Sequence, residues 1–146
     1  MKAERRAEAQ WEGNLVNGHG KFHLGSGAAG ELPVTWASRT ESSDGKTSPE
    51  ELIAAAHASC YAMAFSHTLT QEGHPPASLT VNAVCTLEDV EGKLKITTMT
   101  LNVEGKVPGL DEASFVLIAQ KAEQGCPVSN LLRHGLQIHL NAHLEH

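Results

Sequence analysis

The amino-acid sequence predicts a single domain, residues 1–146, that combines antiparallel strands with helices. Three observations support this prediction. Apolar stretches separated by glycine-containing turns occupy 7–36, a helix whose body is apolar on nearly every side occupies 49–73, and two alternating segments, 79–87 and 94–103, flank a turn. With 146 residues, of which 40% are hydrophobic, the chain is long enough for one ordinary core.

The amino-terminal segment 7–36 is predicted to form an antiparallel meander, because its short apolar stretches alternate with turns that contain glycine. The next segment, 38–47, is polar and contains serine and glycine, so we expect a surface loop that can carry functional groups. Arg39 falls in this loop, where a solvated cation is the ordinary interpretation of an arginine.

The helix that begins at Pro49 has the clearest local signal in the sequence. Ser48 is a good N-cap, Pro49 occupies a position where its missing N–H does no harm, and Glu51 lies three residues past the cap and completes a capping box. The body of the helix is apolar on nearly every side and rich in small residues, which indicates close approach by neighbours. We expect this helix to be buried at the centre of the fold.

The carboxyl-terminal half is predicted to contain a β-hairpin, two helices and a final strand. The two alternating segments are joined by a turn at 91–93. Asp111 is a suitable N-cap for a helix that ends at Gly125, and Cys126, followed by proline, begins another helix. Residues 136–140 alternate in polarity and are predicted to close the chain as a strand.

Charge and hydropathy exclude two classes of partner. The net charge is −6, from 11 Lys+Arg against 17 Asp+Glu, and the cations are not clustered as binding to a phosphate backbone requires. No run of about eighteen apolar residues occurs, and the amino terminus leads into polar residues rather than an apolar signal core. We therefore expect a cytoplasmic protein without nucleic-acid or membrane partners.

The three cysteines are an odd number in a chain expected in the cytosol, so they are interpreted as buried, metal-bound or reactive. Cys60 lies about 15 Å from the positive end of its helix, and taken alone it is interpreted as a structural residue. Cys126 stands at a helix N-cap, where a thiolate is favoured, although a purely structural cysteine fits equally well. Cys85 is predicted to face the core from a strand.

A zinc site is the alternative suggested by His57 and Cys60, which are one helical turn apart, with Cys126 and His134 as further candidate ligands. A single short pair with distant partners is a weak pattern, because dedicated zinc sites usually show two tight ligand pairs. We therefore expect no metal and no cofactor.

Two cysteine motifs together resemble the osmotically inducible protein C and organic hydroperoxide resistance superfamily. They are the segment 49–66, with Cys60 near its centre, and the segment 126–129, Cys-Pro-Val-Ser. The resemblance also includes an early Trp-x-Gly beginning at Trp11 and the Ser-Arg-Thr at 38–40. The residues around Cys60 and the position of the arginine just before the helix resemble the osmotically inducible subgroup more closely than the organic hydroperoxide resistance subgroup.

This resemblance implies an α+β fold, with antiparallel sheets around long buried central helices in an intertwined homodimer whose active sites lie at the subunit interface. It implies that Cys60 is the peroxidatic cysteine, Cys126 the resolving cysteine, and Arg39 with Glu50 the pair that polarises the site. Burial would raise the pKa of Cys60, so a cation such as Arg39 is needed to stabilise its thiolate. The Glu50 carboxylate can hold the planar guanidinium of Arg39 in place through a bidentate pair. At Thr40 the subgroup commonly has an aromatic residue.

The implied activity is reduction of organic hydroperoxides, and more weakly of hydrogen peroxide, through a Cys60 sulfenic acid and a Cys60–Cys126 disulfide. An external dithiol, for which a lipoyl-type compound is one candidate, would regenerate the thiols in oxidative or osmotic stress defence. Ten residues separate Glu50 from Cys60, which is about 15 Å along an unbroken helix. A side chain cannot cover this distance, so we expect each site to combine Cys60 of one subunit with Arg39 and Glu50 of the other. The alternative function is a non-catalytic protein that binds a small hydrophobic ligand.

Overall fold

The computed structural model describes residues 1–145, which form two compact units. The first unit comprises 1–55 and 84–100, and the second comprises 56–83 and the residues from 101 onward. Each unit is built from two separate stretches of the chain. The single domain that was predicted from chain length stays a prediction. The elements in chain order are β1 (Ala7–Glu12), β2 (His19–Leu24), β3 (Leu32–Val34), α1 (Trp36–Thr40), α2 (Pro49–Gln71), β4 (Ser78–Val90), β5 (Lys93–Lys106), α3 (Glu112–Gln124) and α4 (Pro127–His134).

The predicted amino-terminal meander is confirmed as an antiparallel sheet in the order β1-β2-β3. In its register Trp11 pairs with Gly20, and Gly20 in turn pairs with Val34. A Cβ atom at Gly20 would lie 2.6 Å from the Trp11 ring and 3.1 Å from Val34. The glycine therefore lets the indole lie across the middle strand.

The predicted polar loop at 38–47 is wrong at its beginning, because helix α1 occupies Trp36–Thr40. The Thr35 hydroxyl accepts from the Ser38 N–H at 3.0 Å, and the Ser38 hydroxyl accepts from the Thr35 N–H at 2.9 Å. This reciprocal capping box satisfies orphan donors and stabilises a five-residue helix. Arg39 consequently lies on the last turn of a helix and not in a loop.

Helix α2 begins as predicted, with the Ser48 hydroxyl accepting from the Glu51 N–H at 3.1 Å. The reciprocal half of the predicted capping box is different. The Glu51 carboxylate accepts from the Thr47 hydroxyl at 2.6 Å, so it is engaged one residue before the cap. The helix ends at Gln71, just before Gly73, whose φ of 86° suits glycine.

Within the second unit, α2 buries one face, formed by residues spaced four apart: His57, Tyr61, Phe65 and Leu69. Met63 lies on another face and is 68% exposed. The prediction that α2 is buried on nearly every side is therefore not met in the single chain. Apolar side chains also lie on faces of α2 that no other part of the described chain covers. No helix within residues 1–145 combines the length and the apolar character needed to span a bilayer.

The predicted β-hairpin is confirmed, and its strands β4 and β5 are longer than expected. Its two-residue turn has φ of 53° at Glu91 and 80° at Gly92, as in turns that match the twist of antiparallel strands. In the second unit, fully buried Phe65 lies against Phe115 with ring centroids 5.0 Å apart. Phe65 belongs to a buried cluster, and the apolar residues that pack against this cluster include Leu79, Val81, Leu101, Val103, Ile118 and Val128.

The predicted helices α3 and α4 are confirmed with their caps. Asp111 accepts from the Ser114 N–H at 3.3 Å, Gly125 is the C-cap of α3, and Cys126 is the N-cap of α4. The predicted strand at 136–140 is wrong, since this segment has no strand structure and its apolar side chains are exposed. A strand requires a pairing partner, and alternation alone does not provide one.

Candidate active site

The two cysteines that sequence motifs single out lie in contact in the second unit. The Cys60 and Cys126 Sγ atoms are 3.5 Å apart, and both residues are free thiols. Cys60 comes from α2 and is partly exposed, whereas Cys126 comes from the N-cap of α4 and is 0% exposed. A sulfur–sulfur bond of about 2.05 Å would require only a small approach of the two side chains.

A second contact one helical turn away explains how the two sulfurs come together. His57 precedes Cys60 by one turn of α2, and Ser129 follows Cys126 by one turn of α4. His57 Nε2 and Ser129 Oγ are 2.7 Å apart, and both residues are buried. The helices are therefore joined at two levels, sulfur to sulfur and imidazole to hydroxyl. Sequence reasoning did not assign this polar pair, although the equal spacing of the two motifs is a signal for it.

The two thiols have opposite electrostatics. Burial raises the pKa of the Cys60 thiol, the Val128 N–H lowers it, and neighbouring Cys126 raises it further, with a net rise. Burial also acts to raise the pKa of Cys126, but the Ser129 N–H and hydroxyl, the Cys60 thiol and the Val128 N–H act to lower it, and the net effect is a lowered pKa. Negative charge is thus favoured on Cys126, and a thiolate at Cys60 needs a cation.

Arg39 and Glu50 form a bidentate ion pair in the first unit. The Arg39 Nε donates to the two Glu50 carboxylate oxygens at 3.0 and 3.2 Å, and Nη2 donates to Oε2 at 2.9 Å. The Glu50 side chain is 8% exposed and that of Arg39 is 30% exposed. Since Nη1 takes no part in this pair, the fixed guanidinium can offer that edge to another acceptor.

A largely apolar pocket of about 320 Å³ lies beside Arg39 in the first unit. Its aromatic surface comes from Trp36, one turn before Arg39 on α1, and from Trp11 on β1. The aromatic residue common in the subgroup at Thr40 is absent, but Trp36 supplies an indole nearby. Sequence reasoning missed Trp36, which the three-residue spacing from Arg39 could have indicated. The full lining is Trp11, Leu15, Val34, Thr35, Trp36, Arg39 and Pro49.

Cys85 lies half-buried on β4, as its predicted strand position suggests. Burial raises the pKa of this thiol, and the negative charge of Glu50 raises it further. Because the negative charge of Glu50 disfavours a thiolate at this position, Cys85 is suited to packing rather than to redox chemistry.

The structure offers no support for the zinc alternative. Among residues 1–145, no three His, Cys, Asp or Glu side chains are grouped so that they could hold a metal ion. His57, the first of the candidate ligands, instead directs Nε2 to the Ser129 hydroxyl.

Comparison with known proteins gives a consistent set of relatives. The sequence pattern of OsmC-like proteins matches residues 42–141. A peroxiredoxin OsmC of Escherichia coli (strain K12) is 40% identical over 133 residues, which cover 91% of this chain and 92% of the relative. An organic hydroperoxide resistance protein of Xanthomonas axonopodis pv. citri is 28% identical over 95 residues, which cover 64% of this chain and 65% of the relative.

The fold is also found among solved structures. An OsmC-like protein from Mycoplasma pneumoniae superposes with a TM-score of 0.69 at 15% identity, and the match covers 100% of both chains. The expected α+β fold with antiparallel sheets and helices is therefore confirmed, whereas the intertwined homodimer stays a prediction.

Proposed function

Since the chain belongs to the OsmC-like protein family, we propose that it is a cysteine peroxidase that reduces organic hydroperoxides, and more weakly hydrogen peroxide, to alcohols and water. Its relatives are named as a peroxiredoxin and as organic hydroperoxide resistance proteins, which supports a redox role connected with hydroperoxides. The observation that carries the two-cysteine mechanism is the 3.5 Å contact between the Cys60 and Cys126 sulfurs.

The proposed cycle begins when the Cys60 thiolate attacks the terminal peroxide oxygen. The O–O bond breaks, Cys60 becomes a sulfenic acid, and the alkoxide takes up a proton to leave as an alcohol. The Cys126 thiolate then attacks the Cys60 sulfur, hydroxide leaves and is protonated to water, and a disulfide forms. An external dithiol reduces this disulfide by two thiol–disulfide exchanges. A second thiol in contact with Cys60 protects the sulfenic acid from further oxidation.

The Cys60 thiolate needs an electrostatic partner, because burial raises the pKa of its thiol. Arg39, held by Glu50, is the cation that we assign to this role. Helix α2 is continuous from Pro49 to Gln71, and the ten residues from Glu50 to Cys60 correspond to about 15 Å of helix. We therefore assign Arg39 and Glu50 to the active site of a second copy of the chain, so that a homodimer is the active species.

The preference for organic hydroperoxides is supported by the pocket beside Arg39. Its walls are mainly indole and aliphatic surface, which would cover the hydrocarbon part of a substrate while the guanidinium faces the peroxide oxygens. Hydrogen peroxide has no apolar part and would gain nothing from these walls. We place the activity in the cytoplasm, in defence against oxidative or osmotic stress, with a dithiol such as a lipoyl group as reductant.

The same pocket favours a second candidate function, a non-catalytic protein that binds a small hydrophobic ligand. A binding protein, however, has no need for two thiols in contact or for a bidentate arginine–carboxylate pair. The peroxidase is therefore the better-supported proposal.

A single-turnover experiment separates the two functions. The reduced protein is mixed in a stopped-flow instrument with cumene hydroperoxide or with hydrogen peroxide, and thiols are counted and mapped afterwards. We expect fast loss of two thiols, a Cys60–Cys126 disulfide, and a faster reaction with cumene hydroperoxide. Cys60→Ser should abolish the reaction, and Cys85→Ser, the matched control, should leave it unchanged. Thiols that persist in excess hydroperoxide would favour the binding protein.

A further inference from the structure

The imidazole–hydroxyl pair beside the two sulfurs has no part in the proposed cycle. His57 is 5% exposed and Ser129 is 4% exposed, and their polar atoms are 2.7 Å apart. Within residues 1–145, His57 Nδ1 is the buried side-chain polar atom for which no hydrogen-bond partner is found. An apolar pair of similar size would pack without an unsatisfied nitrogen, so a packing role alone does not explain these two residues.

The protonation state of His57 decides which way this hydrogen bond runs. Burial lowers the pKa of His57, against the raising effect of Glu123, and Arg133 lowers it further, so the ring is neutral and has one N–H. If Nδ1 held that proton, a buried donor would be left unpaired, which is rare in native proteins. With the proton on Nε2, His57 donates to Ser129 Oγ. The Ser129 hydroxyl proton can then point elsewhere.

A candidate acceptor for that hydroxyl is the Cys126 sulfur, which belongs to the same turn of α4. Cys126 is the N-cap of α4, and Ser129 is the third residue after it, so both side chains belong to the first turn of this helix. A hydroxyl that receives a hydrogen bond from the imidazole is a stronger donor to a thiolate than an isolated hydroxyl. Consistent with this, the Ser129 hydroxyl lowers the pKa of Cys126.

We propose that His57 and Ser129 are positioning residues for Cys126: His57 Nε2–H donates to Ser129 Oγ, and the Ser129 hydroxyl donates to Cys126 Sγ, which holds Cys126 as a thiolate directed at Cys60. This inference rests on the proposed peroxidase, because the resolving step requires that thiolate. In that step the new S–S bond forms as the S–O bond of the Cys60 sulfenic acid breaks, and the hydroxide leaves as water. Ser129 keeps its proton throughout.

The charged and titratable groups around this chain of donors come from three helices. Helix α2 contributes Cys60 and Tyr61, α3 contributes Glu123, and α4 contributes Arg133, which is ion-paired with Glu123. Burial raises the pKa of Tyr61 to about 12, so its phenol stays neutral while Cys126 titrates. The titration of Cys126 can therefore be followed without interference once the other thiols are replaced.

The test is a pH titration of thiolate absorbance near 240 nm in a Cys60→Ser, Cys85→Ser double variant, which keeps Cys126 as its one thiol. We expect Ser129→Ala to raise the midpoint by about one to two pH units, as loss of a hydrogen bond to a charged group implies. His57→Leu should raise the midpoint in the same direction, and His57→Gln, which keeps a side-chain N–H donor, should largely restore it. Ser129→Thr, which keeps the hydroxyl, should stay near the parent midpoint.

Two results would overturn the inference. A His57→Leu midpoint equal to that of the parent would show that His57 acts only in packing, and an unchanged Ser129→Ala midpoint would show that the hydroxyl does not donate to the sulfur. If His57→Leu does not fold, as judged by thermal melting, the Ser129→Ala and Ser129→Thr pair decides alone. The titration uses no peroxide, so its outcome is independent of whether the wild-type protein consumes hydroperoxide.

Discussion

Replacing Glu50 by glutamine tests the Arg39–Glu50 pair with little change in side-chain size. The pair consists of three N–H···O contacts between 2.9 and 3.2 Å, and the amide of glutamine would turn one oxygen into an N–H₂ group facing the guanidinium. A hydrogen bond to a charged group contributes about 1.5–3 kcal/mol, and exposure of 30% of the Arg39 side chain screens part of this. We expect Glu50→Gln to lower the free energy of unfolding by about 2 kcal/mol.

The neighbouring residue provides the matched control. Glu51 is exposed and its carboxylate accepts from the Thr47 hydroxyl, so Glu51→Gln keeps an acceptor and should change the free energy of unfolding by less than about 0.5 kcal/mol. Urea denaturation of the parent and the two variants measures this difference. Equal unfolding free energies for Glu50→Gln and Glu51→Gln would refute the stabilising role of the ion pair.

Steady-state assays with cumene hydroperoxide extend the same test to activity. A guanidinium that is no longer held in place should reduce kcat/KM by roughly 10- to 100-fold in Glu50→Gln, because misplacement of a positioning group by about 1 Å has effects of that size. Glu51→Gln should stay near the parent rate. A Glu50→Gln protein that is destabilised but reacts at the parent rate would show that the pair supports the fold without serving the reaction.

Three further predictions follow from the same geometry. Because burial raises the pKa of Cys60 and the thiolate is the reactive form, Arg39→Gln should move the acidic limb of the kcat/KM profile to higher pH; an unmoved limb would contradict the role of Arg39. Tyr61, whose hydroxyl donates to the Ala119 carbonyl at 2.8 Å, should ionise only near pH 12 in absorbance titrations at 295 nm, and an ordinary midpoint near pH 10 would contradict its burial. Phe65→Ala should lower the free energy of unfolding by about 3–5 kcal/mol in urea, and a loss below about 1 kcal/mol would show that the cluster with Phe115 is not a packed core.

The parts of the fold that sequence predicted correctly have local signals. The meander, the start of α2 at Ser48, the hairpin turn at Glu91 and the caps Asp111 and Gly125 each depend on residues within a few positions of one another. Turn and cap chemistry is decided by such neighbours, so the pattern alone is sufficient.

Two of the departures from the predicted fold, at helix α1 and at the carboxyl-terminal strand, have different physical origins. Helix α1 was missed because its capping box, formed by Thr35 and Ser38, stabilises only five residues, which are too few to show a helical pattern of apolar residues. The strand predicted at 136–140 is absent from the structure. Alternating polarity shows only that a segment could have one apolar and one polar face, whereas a strand also needs a neighbouring strand to which it can hydrogen-bond. Pairing between distant segments cannot be derived from one segment alone.

The candidate site shows the same limit. Cys60 and Cys126 are 66 positions apart, and only the family resemblance placed them in one mechanism. The pair of His57 and Ser129 lies 72 positions apart and was not assigned, because histidine and serine have many ordinary roles. What joins both pairs is that one part of α2 lies against the first turn of α4, which is a property of packing.

The unequal accessibility of the two sulfurs has a consequence for how the oxidised protein is reset. Cys126 is 0% exposed and Cys60 is partly exposed, so an incoming dithiol reaches the Cys60 side of a disulfide between them. Cys126 is then the departing sulfur, and its lowered pKa makes it a good leaving group. The same N–H and hydroxyl donors would thus assist both halves of the cycle, and the mixed disulfide trapped with the reductant should be attached to Cys60.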